Sequence, residues 1–458
     1  MGFVLSILYI VTYYLTPRVI FVQLADFRIE LILASLVVLL SMPKLAGSLI
    51  LKTPQSFALL GLTLAVFLSV LVALHWPGGA LTALLGFIPC ALSYYLACLY
   101  CNSIKRLQVL VVMLVFVCLF VMANGYIELA RGFQASVMSQ PGFMGSSYLF
   151  AGQNETGEWI FRLRGLGVIN DPNDFGQLLV CVIPLVFIIW KPKKIFRNLF
   201  FVLLPVSSLL FGTYMTHSRG ALLALMAIVI VAFRRRIGTV PALLLGAGVF
   251  AAAMAMHFTG GRQISTEAGS DRTALWGDGL QILKSHPLFG VGLGGFADNC
   301  DGCGHTAHNS LVVCAAELGS FGLFFWCFFL FPTVRDALAI TSPEKVSEGE
   351  PIVFEENNSL LTKRTFDAVE KAEINRLGRL LLLSLTGFLV AGWFLSRAYV
   401  LTLFLLGGMV EVVYEMALQR GMIAPRLPLA RTAIFGGGLA VALVLLMYIM
   451  LRIMNLMH

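Results

Sequence analysis

The chain has 458 residues, 59% of them hydrophobic and only 12% charged, with a formal net charge of +8 and a mean hydropathy of +0.88. So little charge cannot cover the surface of a soluble protein of this length, which excludes a soluble enzyme or binding module. The positive balance calls for no nucleic acid, because Lys and Arg gathered in the cytoplasmic loops of a polytopic membrane protein give the same excess.

A membrane-crossing helix needs about 20 mostly apolar residues, and by that rule the chain holds about thirteen candidate spans. They fall near 3–23, 31–50, 57–75, 80–99, 107–123, 175–190, 196–213, 220–233, 238–257, 307–331, 378–396, 400–418 and 432–452. The stretch from Phe3 has no A-x-A cleavage site, so it reads as a first span rather than a signal peptide, interrupted by Pro17-Arg18. The expected fold is therefore all-α, a single integral membrane domain over residues 1–458 with about 12–13 spans.

Lys and Arg mark cytoplasmic loops. Lys105-Arg106, the run KPKKIFR (191–197), Arg234 to Arg236, and Arg420, Arg426 and Arg431 all fall on one side when spans are counted between them. The mixed-charge segment 333–377 falls there too and reads as a solvated loop with a short helix, serving as a linker. The opposite side, periplasmic in a bacterium, receives the long segments 124–174 and 258–306. Its cations are nearly all arginine: Arg28, Arg131, Arg162, Arg164, Arg219, Arg262, Arg272 and Arg397, against one lysine, Lys284. Singly, each is explained by snorkelling at the interface. As a set they suit an anionic ligand, since guanidinium grips phosphate bidentately and keeps its charge.

The outward motifs follow in chain order. In FRLRGLGVINDPNDFGQ (161–177), Arg162 and Arg164 project to one side of an extended chain and are candidate ligand contacts. Asp171 before Pro172, with Asp174 after, is a capped helix start. Asn154-Glu155-Thr156 matches a glycosylation sequon, a pattern too frequent to carry weight. In THSRGALL (216–223), Ser218 caps the next span and puts Arg219 in its first turn. Cations avoid that end of a helix dipole, so Arg219 is misplaced unless it serves an anion there.

In SDRTALWGDGLQILKSHPLFGVG (270–292) a short helix is capped by Ser270 or Asp271 and stopped by Pro287. Arg272, Trp276, Gly279 and Leu283 share one stripe of it, which tucks Arg272 toward protein. Asp271 and His286 flank this helix as supporting candidates. The Gly-rich turn after it follows no strand, so a dinucleotide fold is not supported.

CDGCGHTAHNS (300–310) offers two cysteines and two histidines. Zinc modules separate their ligand pairs by a dozen or so residues. Here one residue separates them, which favours a Cys300–Cys303 disulfide in an oxidising compartment over a metal site. His308, beside Asn309 and Ser310, stands at the outer end of a span, positioned as a base or hydrogen-bond donor. Glu317 lies out of phase with it and reads as a buried polar bridge between helices.

The ordered set RGLGVINDPNDFGQ, THSRGALLAL, DRTALW, HPLFGVGLGGF and AHNSLVVCAAELG resembles the O-antigen ligase and O-antigen polymerase superfamily of bacterial inner-membrane glycosyltransferases. The resemblance covers roughly residues 160–330. It implies a multi-span fold of the membrane glycosyltransferase (GT-C-like) type with periplasmic loop helices. It further implies metal-independent transfer from an undecaprenyl-diphosphate-linked glycan, without cofactor. The acceptor would be a lipid A–core sugar, another lipid-linked glycan or a glycoprotein. By match of motif, Arg219 and Arg272 would hold the diphosphate and His308 would be catalytic. The cysteine pair before the histidine departs from the family pattern. Polymerase and ligase remain alternatives. A lipid-linked sugar transporter is a third, although it would place its charges near the bilayer midplane.

Overall fold

The computed structural model describes residues 1–24, 27–131, 147–153, 157–260, 266–301, 304–341 and 368–456. Its principal helices are α1 (Gly2–Leu15), α2 (Ile29–Ala46), α3 (Pro54–Leu74), α4 (Pro77–Tyr100) and α5 (Ile104–Ala130). Then come α6 (Pro172–Val186), α7 (Leu204–Met215), α8 (Arg219–Ile237), α9 (Thr239–Ala255) and α10 (Thr266–Ser285). The last four are α11 (Ser310–Thr341), α12 (Ala368–Gly392), α13 (Leu401–Gln419) and α14 (Leu429–Leu456). Two strands, β1 (Leu149–Gln153) and β2 (Trp159–Leu163), form an antiparallel hairpin between α5 and α6.

Every predicted span meets a helix. Among the described residues, ten helices are long and apolar enough to cross a membrane. The remaining three have physical reasons for falling short. Helix α1 stops at Leu15 because Thr16 takes a left-handed conformation and Pro17 starts a new turn, so 3–23 is not one helix. Helix α8 carries Arg219 and Arg234 to Arg236 at its ends, and α9 is short. The protein is an all-α polytopic membrane protein.

Several starts follow local chemistry. Pro54, Pro77 and Pro172 stand at the first helical position, where a missing N–H costs nothing. Asp171 accepts from the N–H of Asn173 at 2.7 Å, the predicted cap. Helices α6, α11 and α13 are buried along most of their length, and small residues let them approach. A Cβ at Gly408 would come within 2.8 Å of the Tyr94 carbonyl oxygen on α4.

The two ends of the bundle can be told apart by contacts. At one end Arg106 lies over the Phe3 ring at 5.3 Å and Lys44 over Tyr100 at 5.0 Å. At the other, Thr16 packs against Gly167, and the starts of α6, α8 and α11 gather with the α12–α13 turn. The candidate residues sit at this second end.

Three boundaries differ from expectation. Helix α10 begins at Thr266, so Ser270 and Asp271 lie inside it and do not cap it. The expected 333–377 linker is helical at both described flanks, through Thr341 and from Ala368. The hairpin was not foreseen in a chain dominated by apolar runs. Arg262, Cys303, the Asn154–Thr156 sequon and most of the linker lie outside the described residues, and for Asp271 only the backbone is described.

Candidate functional site

Helix α8 supplies the first cation. Ser218 caps it by accepting from the N–H of Ala221 at 3.3 Å, and Arg219 is its first residue. Its side chain is half-buried at the positive end of the helix dipole, as the sequence anticipated.

Helix α10 supplies the second. Trp276 and Gly279 are buried, and Arg272 and Leu283 are half-buried on the same stripe. Gly279 is needed for this packing: a Cβ there would stand 2.2 Å from Val312 Cγ1 on α11. Burial first, and the like charge of Arg219 second, lower the pKa of Arg272 from the ordinary guanidinium value. It nonetheless stays a cation. Two arginines thus share one electrostatic field.

His308 completes the group. It sits two residues before α11 with φ 48°, in the left-handed region, where histidine is one of the few side chains enriched. Asn309 is fully buried and caps α11, its Oδ1 accepting from Leu311 N–H at 2.9 Å and Val312 N–H at 3.1 Å. Burial, then Arg272, lower the His308 pKa below the ordinary imidazole value, while Asp171 opposes them. An imidazole so placed is neutral at neutral pH and ready to accept a proton.

Arg162 and Arg164 are placed differently. Both are buried. Arg162 donates to the Thr216 carbonyl at 3.0 Å and to Asn173 Oδ1 at 3.0 Å. Arg164 donates to the carbonyls of Ser147 at 3.1 Å and Asn170 at 3.3 Å. The sequence read them as ligand contacts; here their head groups tie the hairpin to the starts of α6 and α8. His286 is exposed and hydrogen-bonded to Ser285. It stands fourteen residues, about 21 Å, along the α10 direction from Arg272, away from the cluster.

Cys300 is disulfide-bonded, so its sulfur is not available as a thiolate ligand. Glu317 is a bridge of another kind than expected. Its carboxylate accepts from the backbone N–H groups of Gly294 and Phe296, fastening the Gly-rich turn to α11.

That turn docks against a break in α11. Gly319 has φ 64° and ψ −167°, and a Cβ there would lie 2.4 Å from the Leu288 carbonyl oxygen. The released backbone groups pair with the turn: Val291 N–H to Ala316 O and Gly292 N–H to Glu317 O, each at 3.0 Å, and Ser320 N–H to Pro287 O at 2.8 Å.

Residues 205–327 match the family model described as O-antigen ligase. This stretch is similar to the O-antigen ligase and polymerase superfamily. No curated protein matches it. The matched stretch runs from α7 into α11 and contains Arg219, Arg272, His308 and Asn309. Arg162 and Arg164 lie outside it. The likeness supports an O-antigen ligase- or polymerase-type function in a membrane.

Sequence reading missed three supports of this end of the molecule. Asp174 forms an ion pair with Arg397 of the α12–α13 turn. Ser310 donates to the Leu395 carbonyl at 2.7 Å and accepts from Arg397 N–H at 3.1 Å. Ser396 accepts from His308 N–H at 2.8 Å. Nothing in a span-by-span pattern links residues so far apart, although Asp174 in the first turn of a buried helix is a sign that a cation must face it.

Proposed function

We propose that this protein transfers a glycan from an undecaprenyl-diphosphate carrier to an acceptor hydroxyl at the periplasmic face of the bacterial inner membrane. One observation carries the reading: the helix that bears Arg272 is bonded through Trp276 Nε1 to the Ala307 carbonyl at 2.9 Å, next to His308, within the stretch similar to the O-antigen ligase family. The clustering of Lys and Arg in the loops of the opposite end supports the periplasmic orientation.

The chemistry follows from the residues. The acceptor oxygen attacks the anomeric carbon, the bond from that carbon to the diphosphate oxygen breaks, and the acceptor proton passes to the His308 imidazole. The leaving group is already a stable anion, so it needs charge stabilisation more than protonation. Arg219 and Arg272, fixed at a helix start and on a packed loop helix, supply that stabilisation without reorganising. His308, held neutral, supplies the base. Arg162 and Arg164 act as braces that hold the starts of α6 and α8 in register. Asn309 holds the first turn of α11 below the histidine.

The test is transfer in liposomes with an undecaprenyl-diphosphate glycan and candidate acceptors. His308→Ala and Arg272→Ala should each lower turnover by a factor of about 10² or more. Transfer that survives both substitutions overturns the assignment. A lipid A–core acceptor identifies a ligase and a second lipid-linked repeat a polymerase; movement of intact donor without bond cleavage points to a transporter.

A further inference from the structure

The peptide unit joining Ala307 to His308 is gripped at both polar ends by side chains from two other parts of the chain. Its carbonyl accepts from Trp276 Nε1 at 2.9 Å. Its N–H donates to Ser396 Oγ at 2.8 Å, and that hydroxyl in turn donates to Thr306 Oγ1 at 2.8 Å. The two arms also touch, because the Trp276 ring meets Trp393 edge-on with centroids 6.3 Å apart. Trp276 lies one helical turn after Arg272, on the same stripe of α10.

A left-handed backbone at a non-glycine residue costs on the order of 1–3 kcal/mol and persists only where its surroundings impose it. His308 has that conformation, at φ 48°. Rotating the 307–308 peptide plane would break both bonds together. We infer that Trp276 and Ser396 are positioning residues that fix the His308 imidazole relative to Arg272. Trp276 relays the placement of the cation-bearing helix into the peptide plane, and Ser396 anchors that plane to the α12–α13 turn. In a displacement at carbon the attacking oxygen and the leaving diphosphate stand on opposite sides of the reacting atom. The spacing between base and cation therefore sets whether both act at once.

This inference rests on the proposed role of His308, and its test separates the two. Trp276→Phe keeps an aromatic ring and removes the indole N–H with the pyrrole half of the side chain; Ser396→Ala removes the acceptor, and Ser396→Thr restores it. Either loss should lower kcat by about tenfold with the donor KM nearly unchanged, with Ser396→Thr close to wild type. The double variant should fall little below the worse single one, since both arms hold one peptide unit. A second readout does not need turnover: the rate at which diethyl pyrocarbonate modifies His308, followed by mass spectrometry of its peptide. It should rise in both single variants and return to the wild-type rate in Ser396→Thr. Unchanged kcat and modification rate in the single variants overturn the clamp while leaving the base assignment intact. If His308→Ala retains transfer, the base assignment fails, and the modification rates alone decide the clamp.

Discussion

The two ends of the bundle both hold arginines, and Arg426 at one end is surrounded in the opposite way to Arg272 at the other. At the far end Arg426 donates to Glu411 at 3.0 and 2.7 Å and to Asp336 at 2.8 Å, lies 4.0 Å over the Tyr414 ring, and is flanked by Glu415. Gln55 and Arg335 complete the shell of Asp336. At the site end Arg272 feels another cation, Arg219, as its leading charged neighbour. A cation ringed by carboxylates is a finished structural unit. On the proposed function, cations that share a field near a helix N-terminus serve an anion of the substrate.

Substitutions at the two ends should act in opposite ways, most strongly at the far end. Arg426→Ala strands the buried carboxylates of Asp336 and Glu411 and should cost about 3–5 kcal/mol. Denaturant or thermal unfolding in detergent measures this, and the turnover of the folded fraction should be unchanged. Replacing the group together, as Arg426→Met with Glu411→Gln and Asp336→Asn, should recover much of the loss. If the single substitution abolishes turnover in protein that remains folded, the far end is not merely structural.

At the site end the signs reverse. Arg219→Ala or Arg272→Ala should lower kcat by about 10²- to 10³-fold, and for Arg272→Ala the unfolding midpoint should hold steady or rise as like-charge repulsion is relieved. A large loss of stability instead would make Arg272 resemble Arg426.

A subtler effect is in the pH profile. Because burial and Arg272 hold His308 below the ordinary imidazole value, kcat/KM should be lost only as pH falls through that lowered value, where the imidazole takes up its proton. Arg272→Gln removes one of the depressing charges, so the residual activity should show its acid limb displaced to higher pH. Wild-type kcat, which reports the donor-bound state, should show the same direction relative to kcat/KM as the diphosphate offsets the arginine. No displacement would mean the two residues do not share a field. The smallest expected effect is competition: inorganic pyrophosphate should weakly inhibit the wild type against donor and lose that effect in the Arg219 and Arg272 variants.

Apolar run length exposed nearly all of the membrane fold, because a bilayer demands it directly. The site was legible where motif and helix start coincide, as at Ser218-Arg219 and at His308-Asn309. It was illegible where a side chain's fate depends on a distant partner. Arg162 meets a carbonyl 54 positions away and Arg397 a carboxylate 223 positions away. Arg426 reads in the sequence as one of the cytoplasmic loop cations, and only the fold brings Glu411 and Asp336 to it. His286 shares a sequence neighbourhood with Arg272, but the rise of the intervening helix carries it off.

The interruption of α11 at Gly319 has a mechanical consequence. The nine residues from Ser310 to Leu318, about 14 Å of helix, are laced to the Gly-rich turn rather than continued smoothly into the long lower shaft. They form a short lever, with the histidine at its tip and a joint at its base. A tilt of the turn would reach the histidine end of this segment through these backbone pairs, and the bonds of His308 and Ser310 to the α12–α13 turn would resist it.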